Sequence, residues 1–136
     1  TKTYWFDAND VGTTASPIVH TGTATDTYLT NDAAGSGTTS YNPNSKDTLW
    51  KPGTNKFDFT SLKIGDTVEL RIDITITNAA AQEVNLLMSI AEQLTALFRI
   101  YMGDETTRTG GARVRFASLA ASNITVNGWF YQITEV

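Results

Sequence analysis

Few side chains in this sequence could act as a catalytic base or as a nucleophile. His20 is the single histidine among 136 residues, and the chain contains no cysteine. A serine nucleophile needs a base beside it, but no catalytic motif surrounds His20 in residues 19–22. We therefore interpret His20 as a surface or interface histidine. The lack of cysteine excludes disulfides, thiol catalysis and cysteine-ligated zinc, and one histidine cannot build a histidine-rich metal site.

Two acidic residues have a spacing that could suit glycoside hydrolysis, which needs two carboxyl groups held about 5–9.5 Å apart. Glu69 and Asp73 lie on the polar side of an alternating segment, with Arg71 between them. Charges of both signs along one side of a strand are typical of a solvent-exposed charge ladder. We interpret the three side chains in this way, and we predict no catalytic residue and no enzymatic activity.

Oxygen-bearing side chains cluster in residues 7–10 and 42–47, and hard cations such as calcium prefer oxygen ligands. Neither segment has the pattern of the EF-hand loop, with glycine at its sixth position and a glutamate at its end. Asn and Asp side chains also bond their own backbone in turns, which explains both segments without a metal. The sequence therefore predicts no metal site and no cofactor.

Aromatic residues are the remaining candidates for ligand binding. An exposed Trp or Tyr ring can stack on a sugar ring, whereas most aromatic residues in a domain of this size belong to the core or to a subunit interface. Both interpretations stay open for Trp5, Trp50, Trp129, Tyr4, Tyr41 and Tyr131.

Charge excludes several classes of partner. The net charge is −4 and the pI is about 4.8. This argues against a protein that binds nucleic acid, because such proteins contact phosphates with positively charged surfaces. One basic cluster is a solvated strand face or a surface for an acidic patch on a protein partner. Its members are Arg99, Arg108, Arg113 and Arg115.

Targeting signals are also missing from the sequence. No segment approaches the ~20 apolar residues of a membrane span. The first seven residues lack the apolar run of a signal peptide. Thr1 is small enough to follow a removed initiator methionine, so we expect a complete gene product that is not secreted and has no membrane partner.

The elements that must position these residues are predicted to be β-strands. Threonine, a β-branched residue that favours strands, occupies 23 positions, and charged residues are only 18% of the chain. Residues 67–77 alternate strictly, with Val68, Leu70, Ile72, Ile74 and Ile76 on one side. This alternation predicts a strand with one buried face and one exposed face.

Residues 78–102 fit two patterns. One is a helix with Asn78 as its N-cap and an apolar stripe from Val84 to Phe98. The other is a hairpin, in which residues 84–90 and 96–102 form strands around a turn at residues 91–94. We favour the hairpin, because it continues the flanking sheet without a special connection.

The strand pattern continues towards the C-terminus. Residues 113–116 alternate Arg with apolar side chains, and residues 123–133 are rich in β-forming residues. Asn127-Gly128 is a strong hairpin signal. We predict an all-β fold, an antiparallel two-sheet sandwich of the jelly-roll type. Its expected core consists of Val68, Leu70, Ile72, Ile74, Ile76, Phe98, Ile100, Val114, Phe116, Ile124 and Val126.

The two halves of the chain differ in texture. Residues 1–62 contain short apolar clusters between polar turn segments, whereas residues 63–136 carry the periodic strands. We predict a single domain over residues 1–136, in which residues 1–62 form loop-rich strands and an N-terminal arm, and residues 63–136 form the core strands. Aromatic side chains often anchor interfaces, so the expected anchors on a neighbouring subunit are Tyr4, Trp5, Phe6 and Trp50.

Two stretches of the chain resemble small virion proteins of tailed bacteriophages. Residues 57–75, FDFTSLKIGDTVELRIDIT, resemble an element of these proteins, and residues 123–130, NITVNGWF, resemble their closing strands. Residues 100–103 and the strand at residues 113–116 fit the same layout. The resemblance covers residues 48–136, and because its motifs are structural it transfers no functional residue.

This resemblance implies a β-sandwich protein on the outside of a phage particle, made in the host cytoplasm. It implies a capsid decoration (cement) protein, commonly a homotrimer, whose partner is the major capsid protein or another virion protein. The alternative is a receptor-binding tail or head fibre domain that recognises host surface glycans.

Overall fold

The computed structural model of the chain describes residues 2–22, 26–78, 80, 85–90, 93–95, 99–101, 111–117 and 121–136. These ranges contain strands and one short helix, α1 (Gly12–Ala15). The strands of the first half are β1 (Thr3–Asn9), β2 (Ile18–His20), β3 (Thr27–Tyr28), β4 (Thr39–Tyr41), β5 (Trp50–Lys51) and β6 (Lys56–Asp58). Those of the second half are β7 (Thr67–Asn78), β8 (Asn85–Ile90), β9 (Gln93–Thr95), β10 (Arg99–Tyr101), β11 (Gly111–Ala117) and β12 (Ser122–Thr134).

The strands form two antiparallel sheets. The first, here called the β12 sheet, has the order β10-β7-β12-β1-β4, and β2 also pairs with β12. The second, the β11 sheet, has the order β5-β6-β11-β8-β9, and β3 also pairs with β11. The prediction of an all-β fold with antiparallel sheets is confirmed, while the sandwich packing and its jelly-roll connectivity stay predictions.

Aromatic side chains from the two sheets meet in one core. The ring centroids of Trp50 in β5 and Trp129 in β12 are 4.4 Å apart, and those of Phe57 in β6 and Tyr131 in β12 are 5.4 Å apart. Side chains of both sheets therefore contribute to this cluster. The buried apolar residues are Tyr4, Phe6, Ala8, Leu29, Leu49, Trp50, Phe57, Phe59, Leu62, Val68, Met88, Val114, Ile124, Val126, Trp129, Tyr131 and Ile133.

The alternation of β7 is confirmed, but β7 does not lie at the centre of the core. Val68 is buried, whereas the side chains that follow it on the same face are only half-buried. The reason is that β7 lies towards one side of its sheet, between β10 and β12. Of the other expected core residues, Val114, Ile124 and Val126 are buried, and the side chains of Phe98, Ile100 and Phe116 lie outside those described.

The segment around residues 85–101 contains strands, as the hairpin interpretation requires. β8 pairs with β9 through Met88 opposite Thr95 and Ile90 opposite Gln93. The predicted turn is misplaced, because Gln93 and Leu94 belong to β9. The predicted second strand is also wrong in part, since β9 lies in the β11 sheet and β10 pairs with β7 in the other sheet. Residues 84, 91–92, 96–98 and 102 lie outside the described residues.

Asn127-Gly128 does not form a hairpin turn. β12 runs through it from Ser122 to Thr134, and the pairing with β7 shifts register between Val126 and Gly128, which is a β-bulge. Gly128 has a φ of +155°, and a Cβ atom there would lie 2.6 Å from the carbonyl oxygen of Ala8. Glycine is therefore required for the close approach of β1, and local turn propensity is overridden by the sheet.

The N-terminal residues form an internal strand. β1 pairs with β12 from Thr3 opposite Thr134 to Asn9 opposite Gly128, and its other side pairs with β4. This pairing leaves residues 3–9 inside the sheet and not available as an arm. The expectation of an N-terminal arm is therefore wrong for these residues, because the C-terminal strand supplies a complete partner for them.

Candidate functional site

His20 is buried and not at the surface. Its side chain is 1% exposed, and Nδ1 lies 2.6 Å from the hydroxyl oxygen of Thr27, which connects β2 to β3. The surface interpretation is wrong because β2 pairs with β12, which places His20 opposite Ser122. Ser122 donates its hydroxyl proton to Oδ1 of Asn78 at 2.6 Å. This bond joins β12 to β7 at Ser122 opposite Asn78.

The carboxylates of β7 form the expected charge ladder. Arg71 Nε lies 3.2 Å from Asp73 Oδ2, and the two side chains are 62% and 49% exposed. Glu69 is exposed on the same face. An exposed ion pair of this kind contributes at most about 1 kcal/mol to stability, so its main effect here is to orient the guanidinium.

The oxygen-rich segment at residues 7–10 is occupied by hydrogen bonds within the chain. Asp10 Oδ1 accepts from the backbone N–H of Thr13 at 2.5 Å, and Oδ2 accepts from the N–H of Asp32 at 3.0 Å. The hydroxyl oxygen of Thr13 in turn accepts from the N–H of Val126 at 2.9 Å, which ties α1 to β12.

The segment at residues 42–47 is also explained by local bonds. Asn42 Oδ1 accepts from the N–H of Lys46, and Nδ2 donates to the carbonyl oxygen of Lys46, both at 2.8 Å. Within the described part of the chain, no group of three or more His, Cys, Asp or Glu could hold a metal ion.

Two further carboxylates fasten loops through backbone N–H groups. Asp32 accepts from Val11, Gly12 and Ala34. Partial desolvation opposes ionisation of this carboxyl, but the backbone donors outweigh it and hold the pKa below its ordinary value. Asp66 accepts from Lys63 at 2.8 Å and from the N–H of the C-terminal residue 136 at 3.1 Å, which closes the turn before β7.

The expected interface anchors do not share one environment. Tyr4, Phe6 and Trp50 are 6%, 8% and 3% exposed and pack inside the chain's own core. Little of these rings is exposed on the single chain, and their role as anchors on a neighbouring subunit stays a prediction. Trp5 lies on the opposite face of β1 and is half-buried.

Trp5 belongs to a row of aromatic residues on the outer face of the β12 sheet. It lies opposite Tyr41 of β4, and directly opposed residues of antiparallel strands project to the same face. On its other side the ring of Phe130 in β12 lies 5.7 Å away, tilted by 35°. We call Tyr41, Trp5 and Phe130 the outer aromatic strip, which crosses three adjacent strands.

Polar side chains border the outer aromatic strip. Gln132 lies opposite Trp5, Asp7 lies opposite Phe130, and both side chains are half-buried. Among the described residues, neither side chain has a hydrogen-bond partner. Arg71 lies opposite Phe130 on the far side, with its guanidinium carbon 5.5 Å from the ring centroid. The strip therefore combines ring surfaces with hydrogen-bonding groups that have unused capacity.

A groove of about 330 Å³ opens between the two sheets beside β4 and β5. Phe6, Ser40, Trp50, Pro52 and Tyr131 contribute to its lining. The rings of Trp50 and Tyr131 are only 3% and 1% exposed. The groove consequently offers edges of core residues and little ring surface, which makes it a weaker candidate than the strip.

One sequence pattern does indicate that Trp5 lies on a different face from its two aromatic neighbours. Tyr4, Trp5 and Phe6 are consecutive, so in a strand the middle ring must point away from the other two. Tyr41 and Phe130 carried no comparable local sign, because their position next to Trp5 depends on the pairing of β4 and β12 with β1.

No protein-family model, curated protein or solved structure matches this chain. No helix in the described ranges has the length and apolar character needed to cross a membrane.

Proposed function

We propose that this chain is a non-enzymatic structural protein of a tailed-bacteriophage virion, where it decorates the capsid as a homotrimer bound to the major capsid protein. The resemblance of residues 48–136 to small virion proteins supports this proposal. The antiparallel all-β architecture agrees with what that resemblance implies.

The structural role is supported by the hydrogen bonds that Asp and Asn side chains make with the backbone. Four polar side chains that could otherwise take part in catalysis or metal binding accept hydrogen bonds from backbone N–H groups and fasten loops to the sheets. They are Asp10, Asp32, Asn42 and Asp66. Loops held in this way keep one shape without a bound ligand. A protein that reinforces a particle needs this rigidity more than it needs a reactive centre.

The copy number in purified virions tests the proposal. Decoration predicts hundreds of copies per particle, measured by quantitative mass spectrometry against the major capsid protein. Mild heating should release the protein and lower capsid stability together. A dozen copies or fewer, found only in tail fractions, would contradict decoration.

A second candidate function is a receptor-binding tail or head fibre domain that recognises host surface glycans. The outer aromatic strip favours this candidate, because exposed rings bordered by polar side chains suit sugar stacking. Tyr41 is 53% exposed, which leaves most of its ring accessible. Binding of isolated glycans to the purified protein tests this function separately from its place in the particle.

A further inference from the structure

We infer that the outer aromatic strip binds a neutral hexopyranose glycan, with a sugar ring stacked on Trp5 and Tyr41 and its hydroxyl groups bonded by Asp7 and Gln132. This inference rests on the second proposed function and deepens it by naming the site and the class of sugar.

Accessibility selects Trp5 among the three tryptophans. Trp50 and Trp129 are 3% and 0% exposed, and the indole N–H of Trp50 already donates to the carbonyl oxygen of Asn31 at 2.9 Å. Trp5 is half-buried on the outer face, and its contact with Phe130 holds the ring in one orientation. An oriented ring loses little conformational entropy on binding, which favours affinity.

Tyr41 extends the surface that Trp5 provides. It lies in β4, which in the described structure pairs only with β1, so the ring stands at the side of the sheet. Trp5 and Tyr41 are directly opposed on strands about 4.8 Å apart, so both side chains project from the same face of the sheet. The C–H groups on one face of a pyranose ring can pack on such a surface.

The polar border supplies what the sugar hydroxyls need. A carboxylate accepts hydrogen bonds and a carboxamide both donates and accepts, so Asp7 and Gln132 together match groups that do both. The two side chains are half-buried and without partners among the described residues. Both side chains can therefore exchange hydrogen bonds with water for hydrogen bonds with a ligand.

Charge around the strip selects neutral glycans. Near Trp5 and Phe130 lie the carboxylates of Asp7, Glu69 and Asp73 and the guanidinium of Arg71. Beside Tyr41 lie Lys2 and Lys46, and Lys46 is paired with Glu135 at 3.2 Å. Asp73 pairs with Arg71 and offsets its charge. Carboxylates outnumber cations around the strip and the whole chain carries a net charge of −4, so we expect neutral sugars to bind better than sialylated, sulfated or phosphorylated ones.

The test records the three indole N–H signals of the purified full chain by ¹H–¹⁵N NMR. Neutral gluco-, manno- and galacto-oligosaccharides are titrated, with a sialylated oligosaccharide in a parallel arm. We expect at least one neutral sugar to shift the Trp5 signal while the signals of Trp50 and Trp129 stay in place. The sialylated sugar should produce no shift.

Substitutions then separate stacking from general packing. Trp5→Leu keeps an apolar side chain but removes the aromatic face, and it should weaken binding by about tenfold or more. Gln132→Ala should also weaken binding. Tyr28→Ala is the matched control, since Tyr28 is 37% exposed in the other sheet and its loss should leave binding unchanged.

The inference is overturned if no neutral sugar shifts the Trp5 signal, if Trp5→Leu binds as tightly as the original chain, or if the sialylated sugar binds best. A Trp5 shift caused by isolated major capsid protein, with none caused by sugars, would likewise overturn it and assign the strip to a protein contact. A sugar that binds without shifting the Trp5 signal would keep the glycan-receptor function and overturn the strip as its site, so the two can fail separately. The decoration proposal is decided by the copy-number experiment.

Discussion

The two faces of β1 carry aromatic residues under opposite conditions. On the inner face the ring of Phe6 stacks on Tyr131 at 5.1 Å and is almost fully buried. On the outer face Trp5 contacts Phe130 and remains half-buried. The comparison teaches that residue type does not separate a core aromatic residue from an outer-face one, whereas position in the alternation of the strand does.

Among the changes that test this comparison, removal of β1 should have the largest effect on folding. Deletion of residues 1–10 takes away a strand that pairs on both sides, together with the buried side chains of Tyr4, Phe6 and Ala8. We expect no cooperative unfolding transition in the truncated chain when circular dichroism is followed during heating. Deletion of residues 1–2 is the control, since it leaves the whole strand in place. A truncated chain that still melts cooperatively would restore the N-terminal arm.

Loss of one ring from the inner face should be the next largest effect. Trp129 is 0% exposed and contacts the rings of Trp50 and Phe57. Trp129→Ala should lower the free energy of unfolding by about 3–5 kcal/mol, because it removes buried apolar surface and leaves a cavity. Urea denaturation measures this value. A loss below about 1 kcal/mol would show that the site is not part of a packed core.

The bulge that brings β1 and β12 together can be tested at Gly128. Gly128→Ala places a methyl group 2.6 Å from the carbonyl oxygen of Ala8. It should cost on the order of 2 kcal/mol, because the backbone must shift or remain strained. Gly53→Ala is the matched control, since a Cβ atom there meets nothing within 4 Å. Equal unfolding midpoints for the two variants would contradict the close approach.

Alkaline pH should lower the stability of the folded chain through the buried tyrosines of the inner face. Burial raises the pKa of Tyr131 and of Tyr4 to about 12, from the ordinary value of 10.0. The two phenols therefore lose their protons at lower pH in the unfolded chain than in the folded one. Their contribution to the free energy of unfolding is fully present below pH 10.0 and is lost as the pH rises towards about 12. Tyr131 should account for up to about 2 kcal/mol of this fall.

Urea unfolding of Tyr131→Phe is the control for the alkaline effect. This variant loses the hydroxyl that accepts from the N–H groups of Leu49 and Trp50, so it should be less stable at neutral pH. Its stability should nevertheless fall less steeply between about pH 10 and 12, because one phenol no longer titrates. Identical slopes for the two proteins would contradict the assignment.

A substitution on the outer face should have the smallest effect on stability. Tyr41 is 53% exposed and contributes no ring to the core. Tyr41→Ala should change the free energy of unfolding by about 0.5 kcal/mol or less, which thermal melting can measure. Glycan binding should fall in the same variant. A large loss of stability would remove the distinction between the two faces.

Local pattern predicted much of the fold. The alternation of residues 67–77 identified β7, since side chains in a strand project to opposite faces with a period of two. The preference for strands over a helix near residue 85 was confirmed by β8 and β9. The candidate site was predicted only in part, because Trp5 and Tyr41 were named as aromatic candidates but not distinguished from Trp50 and Trp129.

The sequence by itself determined which residues share a face of a strand, because that depends only on the period of the backbone. Tertiary structure alone decided which face is covered. β12 passes beside β1 and buries Phe6 against Tyr131, while its other face places Phe130 beside Trp5. Strand pairing joins residues far apart in the chain, and the free energy of burial that selects it belongs to the assembled sheets and not to any one segment.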